Sequence, residues 1–425
     1  MASADMLFIA PSAYLLGGVQ SWLADTVVGL RKHGITARLA LVSGRHHDEA
    51  RYLRHWPMLA PAMPVRNATG SPEGRVRALM ACIEESGSRM VVSVNIADCF
   101  DAVARLRARG RDIRLVMTLH ALDADYLGDI AGECAWLDAV VATNRLSVVR
   151  AVGAGMAPER VFYAPYGVDV ETLQVACTRR EAALHLRLGY CGRVEETQKR
   201  FRDVVAVTER LVQAGLVFEL VIAGSGPSER EARPRLERLL GDRLRWLGTL
   251  PKEELPSRFY AAIDLLILTS DWETGPIVAW EAMASGVVVV TSRFDGLEEE
   301  GTLRDGETAL TFPVGDCEAA AAIIEKLAAA PGASIRAAIV PTARRTVAER
   351  YERAVSVAAW REALERAATL PLRPVAGRRD WARGRPSGRL DRLLGVAFAE
   401  TIRGRLGRRF LHHDPGGEWP HAHHR

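Results

Sequence analysis

What this 425-residue chain lacks narrows it first. Its six cysteines (Cys82, Cys99, Cys134, Cys177, Cys191 and Cys317) are scattered with no C-x-x-C pair, which argues against a zinc site or a disulfide framework and for reduced, small core residues. No stretch reaches about eighteen uninterrupted apolar residues, so no segment reads as a transmembrane helix. Met1-Ala2-Ser3-Ala4-Asp5 leads straight into a short strand rather than a signal sequence, and the expected location is the cytoplasm. No repeat of solenoid period is present. The dinucleotide fingerprint G-x-G-x-x-G is also missing, because Gly224-Ser225-Gly226-Pro227 is followed by Glu229 where the third glycine belongs.

What is present is the composition of a soluble globular protein, 48% hydrophobic and 25% charged, long enough for two domains. The net charge of +4 is unevenly spread. Residues 371–425 hold twelve Arg against five acidic residues, so the tail is basic and the body slightly acidic. No nucleic-acid partner is expected.

Strand and helix signals alternate, which implies parallel βαβ units. Strands are predicted at Leu7–Ala10, Thr36–Val42, Met90–Val94, Ile113–Leu119, Ala139–Ala142 and Val161–Ala164, with a helix over Val19–Lys32. Asp169–Leu184 reads as a connector. A second series follows at Leu186–Cys191, Phe218–Ala223, Leu244–Leu247, Asp264–Leu268 and Val287–Val290, interleaved with helices. The expected fold class is α/β with two doubly wound Rossmann-like domains. The expected division is 1–170, 171–350, a C-terminal helix over 351–370 packing back toward the first domain, and an Arg-rich appended tail over 371–425.

Candidate site residues fall at the carboxyl ends of predicted strands, where open α/β sheets bind ligands. Glu273 and Glu281 stand in the segment Ser270–Gly286, a polar loop followed by a helix that starts near Gly275-Pro276-Ile277 and ends at Gly286. A helix start favours an anion such as a diphosphate, and carboxylates accept hydrogen bonds from vicinal hydroxyls. Glu281 is expected about two turns into that helix. Gly17-Gly18 after the first strand lets backbone approach a phosphate or sugar closely. His120 ends the strand Ile113–Leu119 and can donate to a hydroxyl or phosphate. Arg193 and Lys199 flank the loop after Leu186–Cys191, where two cations can neutralise a departing diphosphate. Gly224 opens a tight turn read as facing a base or ribose.

Two further patterns are weaker. Asp123-Ala124-Asp125 matches a D-x-D metal triplet but reads better as a polar loop, and no metal is expected. Leu390, Leu394, Phe398, Ile402, Leu406 and Phe410 recur at steps of four among arginines, the pattern of a basic amphipathic helix. Such a stripe can lie on an anionic bilayer, but a helix packed on the protein's own core shows the same pattern and is the favoured reading, and Gly395, Gly404 and Gly407 weaken the helix.

On these residues the chain resembles retaining glycosyltransferases of the GT-B architecture, in particular family 4, over roughly residues 7–367. The most specific part is Glu273–Gly286, similar to that family's E-x7-E segment followed by E-A-M-A-x-G. Gly17-Gly18, His120, Tyr166-Gly167-Val168-Asp169, Gly192-Arg193 with Lys199, and Gly224-Ser225-Gly226-Pro227 support it.

The resemblance implies two domains facing across a cleft, with a hexose-type sugar moved from a nucleotide diphosphate sugar to a glycan, lipid-linked or small-molecule acceptor. Glu273 would contact sugar hydroxyls, Glu281 the ribose, and Arg193 with Lys199 the diphosphate. Gly275, Pro276 and Ile277 would face the sugar, and His120 would reach it from the other domain. Thr274-Gly275-Pro276-Ile277 departs from the family's more frequent Gly-Phe-Gly-Leu, which touches donor specificity. Competing expectations are a nucleotide-sugar epimerase or hydrolase of the same fold and a catalytically silent sugar-binding module. Peripheral contact with the inner face of the cell membrane through the basic tail is a further expectation.

Overall fold

The computed structural model describes residues 5–15, 17–44, 46–177, 185–329, 332–375, 386 and 388–406. The chain divides into two compact units, one of residues 1–143, 147–165 and 357–425 and one of residues 144–146 and 166–356.

The first unit is built on seven parallel strands: β1 (Met6–Ala10), β2 (Ala37–Val42), β3 (Met63–Val65), β4 (Met90–Val94), β5 (Arg114–Leu119), β6 (Ala139–Ala142) and β7 (Val161–Tyr163). Their order across the sheet is β3-β2-β1-β4-β5-β6-β7. Every residue of β1, β4 and β6 is buried, as expected where helices cover both faces of a parallel sheet. The strand order reverses direction between β1 and β4, and the carboxyl ends there form the ligand edge of such a fold.

The second unit repeats the plan with β8 (Leu186–Cys191), β9 (Phe218–Ala223), β10 (Leu244–Gly248), β11 (Leu265–Leu268), β12 (Val288–Ser292) and β13 (Leu310–Phe312). These run in the order β10-β9-β8-β11-β12-β13, all parallel, so its reversal lies between β8 and β11.

Two sequence expectations are corrected. Asp169–Leu184 is not simply a connector: Val170–Cys177 is a helix whose Val170, Leu173 and Cys177 are buried, begun where the Asp169 carboxylate accepts the Thr172 N–H at 3.0 Å. Residues 178–184 of that stretch lie outside the described residues. The tail stripe does not form one helix either. Gly395, at φ 79°, separates the helices Arg389–Leu394 and Val396–Leu406, and Phe410 lies outside the described residues. Among the described residues no helix is long and apolar enough to cross a membrane.

Candidate functional site

In the second unit the loops leaving β8 and β11, on either side of the reversal, are tied together before any ligand is considered. The Asp271 N–H donates to the Gln198 carbonyl at 2.8 Å, and Thr269 Oγ1 donates to the Lys199 carbonyl at 2.8 Å. The β11 loop is tied in turn to the β12 loop, where Ser292 Oγ donates to the Ser270 carbonyl at 2.6 Å.

This scaffold delivers Lys199 and Glu273 to one point. Lys199 Nζ lies 2.6 Å from Glu273 Oε1, which also accepts the Ser270 hydroxyl at 2.6 Å. Gln198 Nε2 donates to the Trp272 carbonyl at 3.0 Å and reaches Glu273 Oε2 at 3.4 Å. Arg193 donates to Gln198 Oε1 while its own side chain stays 66% exposed, so its guanidinium is available to a ligand. Sequence reading singled out Arg193, Lys199 and Glu273, and the structure joins them through Gln198.

Glu195 was missed. Its carboxylate accepts the N–H groups of Thr197, Gln198 and Lys199 at 2.6, 3.2 and 3.0 Å and so shapes the loop that carries the lysine. Burial alone would raise its pKa, but those backbone hydrogen bonds and the Arg193 charge hold it below the usual carboxylate value. The available signal was a carboxylate two residues after Arg193 in a strand-end loop.

Glu281 occupies a different environment. The helix runs Ile277–Ala284, so Glu281 is little more than one turn in, not two. It is buried and accepts the Tyr260 hydroxyl at 2.6 Å, and burial pushes its pKa up against that bond. Its charge also adds to the burial that pushes the Cys191 thiol, at the end of β8, up to about 12. Tyr260 was not singled out in the sequence, because nothing local marks its distant partner.

Gly275 precedes this helix at φ 102°, and a Cβ there would lie 3.1 Å from the Tyr166 ring and 3.3 Å from the Trp280 ring. Trp280 stacks on Tyr351 with ring centroids 3.9 Å apart. Pro276 is buried at the helix N-cap, and Ile277 is half-buried beside it. Gly224 is placed at the end of β9, where its N–H donates to the Gly248 carbonyl at 2.8 Å.

In the first unit Gly17 is the N-cap of the helix Gly18–Lys32, at φ 144° and ψ 166°. Trp22, one turn into that helix, stands edge-on to His120 with centroids 4.3 Å apart. Trp360 lies 4.5 Å from Trp22 and nearly parallel to His120 at 6.5 Å, and its Nε1–H donates to the Pro165 carbonyl at 3.1 Å. Burial lowers the His120 pKa to about 3, so at neutral pH it is an uncharged imidazole. It can donate or accept one hydrogen bond but brings no positive charge. Asp123-Ala124-Asp125 lies at the start of the helix Ala124–Glu133. No metal-binding cluster of His, Cys, Asp or Glu is found among the described residues.

Residues 185–330 match the family model described as "Glycosyl transferases group 1". The chain is 32% identical over 149 residues to the putative glycosyltransferase EpsF of Bacillus subtilis, covering 33% of this chain and 38% of that protein. It is 27% identical over 233 residues to the amylovoran biosynthesis glycosyltransferase AmsK of Erwinia amylovora, covering 53% and 55%. The chain thus spans about half the length, or less, of these curated relatives. The structure of HepE from Anabaena, in complex with UDP and glucose, aligns at a TM-score of 0.68 and 19% identity over 85% of this chain and 99% of that one. The two parallel-sheet units therefore have the GT-B architecture.

Proposed function

We propose that this chain is a retaining glycosyltransferase that moves a hexose-type sugar from a nucleotide diphosphate sugar to a glycan, lipid-linked or small-molecule acceptor in bacterial polysaccharide or glycoconjugate synthesis. The observation that carries this reading is the Lys199–Glu273 pair at 2.6 Å, assembled from the two loops that flank the strand reversal of the matched segment. The family model over residues 185–330 and relatives named as glycosyltransferases support it, as does a neighbour of the same fold that holds UDP and glucose.

The second unit takes the donor and the first unit the acceptor. Lys199, aligned by Glu273, and the exposed Arg193 meet the diphosphate, and the charge that grows on the leaving group is met by cations already in place. The Glu273 carboxylate accepts sugar hydroxyls. Glu281, fixed by Tyr260, accepts ribose hydroxyls, and a vicinal diol there compensates the carboxylate's lost hydration. Gly275, Pro276 and Ile277 face the sugar, and the neutral His120 imidazole bonds to a hydroxyl. The scheme has no protein nucleophile and no resident metal, so positioning and leaving-group stabilisation lower the barrier.

A thermal-shift screen with UDP, GDP, ADP and dTDP tests the donor site, since a ligand bound only by the folded state raises the melting temperature. One nucleotide should stand out, and Glu281→Ala and Arg193→Ala should each remove most transfer from its sugar. Near-wild-type turnover in both variants would sink the proposal.

A further inference from the structure

The C-terminal helices Arg389–Leu394 and Val396–Leu406 dock onto the first unit the wrong way round for a soluble protein. Their buried side chains include charged ones: Asp391, Glu400 and Arg403 are 3%, 3% and 5% exposed. Arg403 donates to Asp391 Oδ2 at 2.8 Å and to Glu400 Oε1 at 2.6 Å. Glu400 also accepts the Ser71 hydroxyl at 2.6 Å and the Thr69 hydroxyl at 2.7 Å, at the start of the helix Pro72–Ser86. A polar clamp therefore holds the module down, with Val396 and Ala399 buried beside it.

The large apolar side chains face outward instead. Leu393 is 81% exposed, Leu394 45%, Phe398 58% and Leu406 62%. Of the ten exposed large hydrophobics among the described residues, these four fall within residues 393–406, which makes them a patch rather than scatter. Phe398, Ile402 and Leu406 step by four along one helix face. The exposed charges of the module are Arg389, Arg392 and Arg405, while both of its acidic residues are consumed in the clamp. Exposed apolar side chains on a module whose own exposed charges are all positive suit an interface where anionic groups overlie hydrocarbon.

We propose that residues 389–406 form a docking surface for an anionic lipid bilayer, with Leu393, Leu394, Phe398 and Leu406 entering the headgroup region and Arg389, Arg392 and Arg405 pairing with lipid phosphates. A second copy of the chain is the poorer occupant, because self-association would face arginine with arginine and offers no exposed carboxylate in the module. The proposal does not depend on the donor-site reading, so vesicle binding and sugar transfer fail separately.

The full chain should co-sediment with vesicles of equimolar phosphatidylglycerol and phosphatidylcholine, roughly tenfold or more above pure phosphatidylcholine, and raised salt should weaken the binding. Leu393→Glu with Phe398→Glu should lower that binding about tenfold or more, and so should Arg392→Gln with Arg405→Gln, without moving the melting temperature, since all four positions are exposed. The inference is overturned by absence of phosphatidylglycerol-dependent sedimentation, or by unchanged binding in both double variants. A concentration-dependent dimer that Leu393→Glu with Phe398→Glu dissolves, with no loss of vesicle binding, would give the surface to a second copy instead.

Discussion

The two units share a sheet plan but hold their ligand edges by different means. In the second unit the loops after β8 and β9 continue to pair beyond the strands: the Gly192 N–H donates to the Ala223 carbonyl and the Val194 N–H to the Ser225 carbonyl, both at 3.0 Å. A Cβ on Gly224, at φ 153°, would lie 1.9 Å from the Gly192 carbonyl oxygen. In the first unit a Cβ on Gly17 would lie 2.6 Å from Oε1 of Gln20, the far end of a flexible side chain. One edge is thus locked by backbone and by the Lys199–Glu273 pair, the other by packing among Trp22, His120 and Trp360. Two glycine-bearing loops that look alike in sequence answer to different constraints.

The largest test of that contrast is Lys199→Ala. Removing the cation leaves the buried Glu273 carboxylate without its ion partner and, in the proposed function, the diphosphate without one of its two cations, so kcat/KM for transfer should fall by about a hundredfold to a thousandfold. Transfer unchanged in Lys199→Ala would show that the lock is structural only.

Next comes the pair Gly224→Ala and Gly17→Ala, followed by denaturant unfolding. Gly224→Ala should cost roughly 3 kcal/mol or more because backbone must move, and Gly17→Ala roughly 1–2 kcal/mol, the strain of a positive φ with a side chain that can swing away. Equal losses would erase the distinction between the two edges.

Most central strands are legible because burial on both faces writes continuous apolar runs such as Ala139–Ala142 and Leu265–Leu268. The strands passed over, Met63–Val65 and Leu310–Phe312, are three-residue edge strands, and the first contains Pro64, which only an edge tolerates. Lys199 and Glu273 are legible as individual residues after strands. Their meeting is not, because it follows from β8 and β11 being neighbours across a reversal that no local pattern encodes. Tyr260 escapes for a like reason, its role being defined by Glu281, a partner that folding brings in. Glu195 differs, because its partners are the N–H groups of Thr197, Gln198 and Lys199 in its own loop, a local turn that apolar patterning does not mark. The outward apolar face of the tail is half-legible: the stripe can be read in sequence, but the buried Asp391–Arg403–Glu400 clamp that turns it outward cannot.

The aromatic edge makes its own pH signature. His120 has a folded-state pKa near 3 against 6.5 unfolded, so the folded form binds fewer protons between those values. Its contribution to stability is intact above pH 6.5 and is lost as pH falls below it, by up to about 1.4 kcal/mol per pH unit until the folded-state pKa is reached. Unfolding free energies measured from pH 7 downward should decline less steeply in His120→Gln than in the wild type. Parallel slopes would place the acid sensitivity elsewhere.

The smallest expected effect probes how far the polar edge depends on one hydroxyl. Tyr260→Phe keeps the ring but removes the donor to Glu281, whose carboxylate is then left buried with less to offset its desolvation. Because that hydrogen bond lowers the Glu281 pKa, losing it raises the value further above 4.5. In the proposed function ribose hydroxyls donate to Glu281, which accepts them best as the ionised carboxylate, so in the wild type nucleotide affinity should weaken on acidification at a pH above the ordinary glutamate range. In Tyr260→Phe that weakening should begin at still higher pH, with a loss of roughly 0.5–1.5 kcal/mol in nucleotide binding where Glu281 is ionised in both proteins. Titration calorimetry of the nucleotide picked out by the thermal-shift screen, run across pH for both proteins, reads the displacement. Superimposable curves would mean that Tyr260 only packs beneath the helix and that Glu281 is oriented without it.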